Sequence, residues 1–365
     1  MAPLSVERRR REFWRRVGSA IFERRWQFVF LVLSTLLVGF GIQEGFVYAQ
    51  VNNFSDQAVQ LPILYSYADD TLFQGDILLD ARENYMTFFY PVLGFLSRYV
   101  PSNLLLLGLY VASLGMTVTG MYYLAEHLFP GRHVGPIAVL LWTTWLPNPG
   151  GDFLHSSFPT HTTTAIGIQL VGLALALRQR HLLAAALIGF SANINAMTAV
   201  SFAMVWAFLL LRERELWSWR LVRIPLMMGL MASPVMIWRL VTSSAIIEEQ
   251  SVPVETFVEI MRVRLWYAIF PFSVNLQLWV LFGLVIAFWV YAARFAPRET
   301  NRKVLWMSQG IVLLGIVGTL FTELIPVPFI IQLHWCVAPG CSTCLRRSTW
   351  PTSFTPGWVA IVGRL

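Results

Sequence analysis

Long apolar runs, separated by short breaks that are mostly basic, fill the chain from Phe28 to Ile331. A run of ~20 apolar residues is what an α-helix needs to cross a ~30 Å hydrocarbon core, whereas a membrane barrel would show short alternating segments. The pattern predicts an all-α fold: a polytopic helical membrane protein with about nine transmembrane helices plus re-entrant or interfacial helices. The first span is expected at Gln27–Val47, the second at Asn103–Ala125, the third at Val134–Leu146 and the fourth at Thr160–Leu177. Spans seven, eight and nine are expected at Leu221–Val241, Asn275–Tyr291 and Val304–Phe321. The clusters Pro130-Gly131-Arg132-His133 and Pro147-Asn148-Pro149-Gly150-Gly151 mark turns.

Three stretches do not fit a single span. Tyr85–Val100 is apolar but short and holds Pro91, so it reads as an interfacial or re-entrant helix; Trp266–Val274, broken by Pro271, reads the same way. Leu182–Leu211 is too long for one span and short for two. Arg178 and Arg180 precede it and Arg212 and Arg214 follow it, so both ends are expected on one side of the membrane. It is therefore expected to be a hairpin of two short helices turning at Ser191-Ala192-Asn193-Ile194-Asn195. A single kinked helix is the alternative, and it would invert everything downstream.

Charge then orients the chain. Residues 1–26 form a basic arm, read as a cytoplasmic anchor that touches acidic lipid, ahead of a membrane domain over 27–333. The loops expected inside carry Arg132; Arg178 and Arg180; the four arginines Arg212, Arg214, Arg220 and Arg223; then Arg294, Arg298, Arg302 and Lys303. The segments expected outside hold most acids: the loop over 48–84, and Thr242–Arg264 with Glu248, Glu249, Glu255 and Glu259. The localisation that follows is the cell membrane, with the N-terminus cytoplasmic. Composition agrees, with 56% hydrophobic and 13% charged residues and a mean hydropathy of +0.59. The net charge of +7 lies at the ends of apolar runs, with no basic stripe among stacking aromatics, so no nucleic-acid partner is expected. No cysteine occurs before Cys336, which removes disulfides and thiolate chemistry from the main body.

Val51–Asp80 is the one long polar interruption, with Asp56, Asp69, Asp70, Asp76 and Asp80. Carboxylates beside several spans can take a proton from an acceptor hydroxyl or hold a divalent metal, and a leaving phosphate needs cationic or amide donors. Asp56 is the first catalytic candidate and the adjacent pair Asp69-Asp70, which can bind metal, the second. Gln57, Gln60, Asp76, His155, Arg239 and Arg264 are candidates for holding substrate. His155 and His161, with Asp152, suit phosphate or metal, although Asp-x-x-His with a distant second His is a weak metal pattern. For Arg239, Arg262 and Arg264, snorkelling to lipid headgroups is the plainer role, and for Asn193 and Asn195 it is bonding between helices.

N-x-x-D-Q-x-x-Q-L-P-x-L over Asn53–Leu64 and D-D-x-L-x-x-G-D over Asp69–Asp76 resemble the first outer loop of GT-C-type polytopic membrane glycosyltransferases, and more closely their uncharacterised bacterial multi-pass relatives. The resemblance covers about residues 27–330. It implies a membrane partner, a polyprenyl-phosphate sugar donor and a catalytic carboxylate at Asp56 or at Asp69-Asp70. The sequence departs from the better-known members by lacking an Asp-x-Asp or Glu-Asp pair directly after span one. The rival readings are a transporter or flippase, which would place ionisable groups near the midplane, and a non-catalytic membrane component. From about Cys336 the grammar changes: three cysteines, several prolines and no long apolar run. Residues 334–365 are expected to be a disordered or out-of-frame tail, on a chain truncated relative to its original frame.

Overall fold

The computed structural model describes residues 56–76, 79, 82, 85, 87–129, 134–143, 160–213, 219–246, 253–270, 272, 276–294, 298–328 and 331. Among these, every regular element is helical: α1 (Asp56–Ala68), α2 (Phe89–Ser97), α3 (Ser102–Leu128), α4 (Val134–Thr143), α5 (His161–Leu177), α6 (His181–Ser191), α7 (Ala196–Arg212), α8 (Trp219–Ile246), α9 (Val254–Ile269), α10 (Leu276–Ala293) and α11 (Arg298–Thr319). A π-helical turn, Leu320–Leu324, continues α11. The chain forms two compact units. The first contains α1–α8 and α11 as far as Ile311; the second contains α9, α10 and the chain from Val312 onward.

Among the described residues, three segments are long and apolar enough to cross a membrane: Ser102–Leu128, Leu221–Val241 and Arg302–Leu324. Leu226, Leu230, Ile237 and Leu240 of α8 are each more than half exposed, at 66, 61, 59 and 71%. Large apolar surface of this kind marks contact with lipid or another chain. The other apolar helices of the first unit are shorter than a span: α5 and α7 have 17 residues, α6 has 11 and α4 has 10. About nine full spans are thus not what the described helices display, and the first span expected, Gln27–Val47, lies outside the described residues.

Small residues set how the first unit packs. A Cβ on Gly167 would stand 2.8 Å from the Ser113 carbonyl oxygen, and one on Gly120 would stand 2.6 Å from Leu170 Cβ. The Ser113 and Thr164 hydroxyls share a 2.8 Å hydrogen bond. Contacts that advance together, 113 with 164 and 120 with 170, make α3 and α5 parallel. On α6, Gln169 donates to Ser191 while Gly172 faces Ile188, so α5 and α6 are antiparallel. The His181 ring, which opens α6, stacks on Trp206 near the end of α7, with centroids 6.1 Å apart. Leu182–Leu211 is therefore a hairpin turning at Ala192–Asn195, and the single kinked helix is excluded. Gly189 faces Met228 and Asn193 reaches Met231, so α8 runs parallel to α6.

This alternation sorts the ends of the first unit. Leu128, Arg178, Arg180, Arg212, Arg223, Arg302 and Lys303 fall at one end. The start of α3, the start of α5 and the 191–195 turn fall at the other. There α1 and α2 pack on the first turns of α3 through Ile63, Leu64, Phe89, Tyr90, Leu93 and Leu106. With 27 residues α3 is about 40 Å long and has turns to spare beyond a ~30 Å core. The nine residues of α2 rise only about 14 Å, too short to cross a ~30 Å core.

Two stretches expected as loops differ. The loop over 48–84 contains α1, whose inner face buries Ile63, Leu64 and Ser66 despite an internal proline, Pro62. That buried face outweighs the polar residues that made the stretch look open. Thr242–Arg264 is helical at both ends, within α8 and α9, and Trp266–Ile269 closes α9 rather than forming a separate piece. In the second unit, Phe270 and Ile331 are buried against Phe257, Val258 and Met261. The Glu323 carboxylate on the π turn accepts from Arg262 Nη2 at 3.0 Å and from the Phe272 N–H at 2.9 Å.

Candidate functional site

The acidic turn Asp69–Asp76 leaves the end of α1 and is held by two arginines. Arg82 donates Nη1 to the Ser66 carbonyl at 3.3 Å and pairs through Nη2 with Asp70 at 3.2 Å, its guanidinium 5.1 Å from the centre of the Tyr67 ring. Arg98, one residue after α2, donates Nε to the Ala68 carbonyl at 3.0 Å and Nη2 to the Tyr67 carbonyl at 3.1 Å. These carbonyls end α1 and lack intrahelical donors, so the guanidinium acts as the cap the sequence does not otherwise supply. The chain then reverses through Phe73 (φ 61°) and Gly75 (φ 81°), the first of which is strained for a residue with a Cβ.

The carboxylates have separate partners. Asp69 Oδ1 accepts from the Thr71 hydroxyl at 2.7 Å and the Thr71 N–H at 2.9 Å. Those bonds, the hydroxyl's first, hold the exposed Asp69 carboxyl below its ordinary range. Asp70 turns to Arg82 instead. Asp76 Oδ1 accepts from the Leu79 N–H at 3.4 Å. Asp56 and Gln57 lie in the first turn of α1 and their side chains are outside the described residues; Gln60 is half-buried on the same helix. Arg239 is exposed on α8, and Arg264 is on α9 in the second unit, its side chain outside the described residues. Asp80, Asp152 and His155 are outside them too. Among the described residues no three His, Cys, Asp or Glu converge.

Beneath this turn, α2 and the two residues before it reach the start of α5, the turn between α6 and α7, and Trp238 of α8. Tyr90 Oη lies 3.2 Å from His161 Nδ1, and the Phe89 ring packs edge-on to the same imidazole. Thr87 donates to the Ile194 carbonyl at 2.6 Å, the Phe88 N–H donates to the Asn193 carbonyl at 2.8 Å, and the Phe88 ring lies 4.8 Å from that of Trp238. Asn195 caps α7 by accepting from the Thr198 N–H and donates to Thr162 Oγ1 at 3.0 Å. Thr160 and Thr163 form a reciprocal capping pair at the start of α5. The site is thus an exposed acidic turn over a buried polar seam, all within the first unit.

Comparison with protein-family models, curated proteins and solved structures finds no match to the chain. Sequence reasoning passed over Arg82, Arg98 and Tyr90 as partners in this region. One signal was legible, because an Asp two residues before a Thr is an Asx-turn pattern. Nothing local ties Tyr90 to His161, 71 residues away.

Proposed function

We propose that this chain is a multi-pass protein of the cell membrane that transfers a sugar from a polyprenyl-phosphate donor at the outer face, as GT-C-type glycosyltransferases do. The observation that supports it is the placing of an ordered acidic turn, with two arginines, at one end of the first unit and of a cation-rich surface at the other. By the positive-inside rule the cationic end, and with it the N-terminus, faces the cytoplasm. In this reading the Asp56 carboxylate takes the proton of the acceptor hydroxyl as the new glycosidic C–O bond forms. The bond from the anomeric carbon to phosphate oxygen breaks, and the polyprenyl phosphate leaves with the electron pair. Asp69, kept ionised by Thr71, is a weak base at neutral pH and is better suited to charge stabilisation or to a divalent metal. Arg239 serves the phosphate.

Transfer is measured in proteoliposomes with a radiolabelled polyprenyl-phosphate sugar. Asp56→Asn is expected to lower the rate at least about a hundredfold with membrane insertion unchanged. Full activity in both Asp56→Asn and the double variant Asp69→Asn/Asp70→Asn would remove this loop from the mechanism. One observation favours a transporter as the second reading: α8 holds Pro225 and Pro234 and admits a foreign amide into its backbone ladder. Interrupted helices of this kind line transport sites. Movement of a labelled lipid across the bilayer without any transfer product would select that reading.

A further inference from the structure

At the end of the first unit opposite the acidic turn, cations of two elements, Arg178 after α5 and Arg302 and Lys303 of α11, gather beside the imidazole of His127 on α3. Arg178, which follows α5, lays its guanidinium 4.3 Å from the centre of the Tyr123 ring on α3. His127 lies one turn beyond Tyr123, so Arg178 and His127 share a helix face. Lys303 of α11 lies one turn before Trp306 and Met307, which pack on the apolar cluster that also receives Leu124 and Leu128 of α3 and contains Leu177 of α5. Arg178 and Lys303 both lie within electrostatic reach of His127. A second ring contact flanks the group, with Arg302 over Trp306 at 5.0 Å.

Among the described residues no carboxylate lies within ion-pair distance of Arg178, Arg302 or Lys303, although Glu126 and Glu213 stand at the same end. Glu126 Oε1 accepts from the Gly135 N–H at 2.8 Å, and the two described ion pairs are elsewhere, Arg82 with Asp70 and Arg262 with Glu323. The side chain of Glu299, one turn before Lys303, is outside the described residues. Like charges gathered from α5 and α11 repel one another, more strongly as the local dielectric falls, unless an anion sits between them. Arg donors that fit phosphate, a Lys point charge beside them and a fringe of Trp and Tyr are what the headgroup layer of an anionic leaflet meets.

We propose that Arg178, Lys303 and His127 form a binding site for the phosphate headgroup of an anionic membrane lipid. The site rests on the membrane reading above but not on sugar transfer.

The full-length protein is purified from mixed micelles of phosphatidylglycerol and phosphatidylcholine, and the lipids it retains are identified by native mass spectrometry. Wild type is expected to retain phosphatidylglycerol in preference. Arg178→Gln/Lys303→Gln should lower that preference about tenfold or more, since each cation near an anionic surface contributes comparably. Arg178→Lys should keep most of the preference, and so should Arg294→Gln, which neutralises an exposed cation after α10. Circular dichroism matching wild type ties the loss to the headgroup contact rather than to unfolding. An unchanged preference in the double variant overturns the proposal. So does displacement of the lipid by inorganic phosphate at matched concentration, which would make a free anion the ligand. Release of the protein from membranes by alkaline carbonate would instead refute the membrane reading itself.

Discussion

A proline inside a helix removes one backbone hydrogen bond, and its ring pushes the preceding turn out of line. At Pro234 the groups disturbed in α8 are each satisfied from a side chain. Ser233 Oγ donates to the Leu230 carbonyl at 2.8 Å, the acceptor that Pro234 cannot serve. The Asn193 amide then enters the ladder: Nδ2 donates to the Met231 carbonyl at 2.8 Å, and Oδ1 accepts from the Val235 N–H at 3.1 Å. An unbroken helix would bond those two groups to each other. In an apolar setting such an insertion is how an interrupted helix survives. Asn193→Leu should therefore cost about 2–4 kcal/mol, because it orphans one donor and one acceptor. Adding Pro234→Ala, which lets α8 close its own bond, should recover part of the loss. Thermal unfolding in detergent measures both, and equal losses in the single and double variants would show that Asn193 does not act through the kink.

At Asp69 the local hydrogen bonds bear on the titration of an exposed carboxyl. Its folded carboxyl lies below the ordinary 3.8, with the Thr71 hydroxyl as the largest cause. A depressed carboxyl favours the ordered turn above the unfolded pKa and loses that contribution as pH falls through the folded one. The order of the turn is thus expected to persist at neutral pH and to fade below about pH 4. Thr71→Val should raise the Asp69 pKa towards the ordinary value. Carboxyl titration by NMR tests it, and an unmoved midpoint would mean that the Thr71 bonds are absent in solution.

At the scale of elements, boundaries followed the hydrophobic pattern where a helix is long or its flanks are basic. Asn103–Ala125 became Ser102–Leu128, Asn275–Tyr291 became Leu276–Ala293, and the double arginines around Leu182–Leu211 pointed to the hairpin. The sequence was least informative at α1. Its polar outer face, Pro62 and neighbouring acids read as loop, and only packing against α2 explains why it is helical. That packing depends on Gly94: a Cβ there would stand 2.5 Å from Tyr67 Cβ and 2.9 Å from the Leu64 carbonyl oxygen. Gly94→Ala should push α1 away from α2 at a cost of about 1–3 kcal/mol. It should also loosen Arg98 from the end of α1 and open the acidic turn to protease. Gly108→Ala, where a Cβ meets nothing within 4 Å, is the neutral control. Equal protease resistance in the two variants would separate the turn from the α1–α2 contact. The candidate site was legible as an acid-rich stretch and the Asp69–Thr71 turn as a local pattern, but the pairing of Asp70 with Arg82 was not, since it depends on a reversal at Phe73 and Gly75.

For the whole molecule, the question is which way the first unit faces. Hydrophobicity does not answer it, because an apolar helix crosses equally well in either direction. Charge does, because lysine and arginine are retained on the cytoplasmic side. The cationic end carries Arg178, Arg180, Arg212, Arg223, Arg302 and Lys303, while the opposite end carries Asp69, Asp70 and Asp76 with Arg82 and Arg98 engaged in holding the turn. Cys336, Cys341 and Cys344, the natural cysteines, are first replaced by serine, which leaves the body of the chain free of thiols. Single cysteines are then placed at Gln74, in the exposed acidic turn, and at Gln179, in the exposed turn between α5 and α6. A membrane-impermeant maleimide added to intact cells should label Gln74→Cys and should reach Gln179→Cys only after permeabilisation. The reverse pattern would turn the protein over and place the acidic turn in the cytoplasm, where a polyprenyl-phosphate donor presented at the outer face is beyond its reach. Labelling of both from outside would mean that the first unit does not span the bilayer, and the multi-pass reading would go with it.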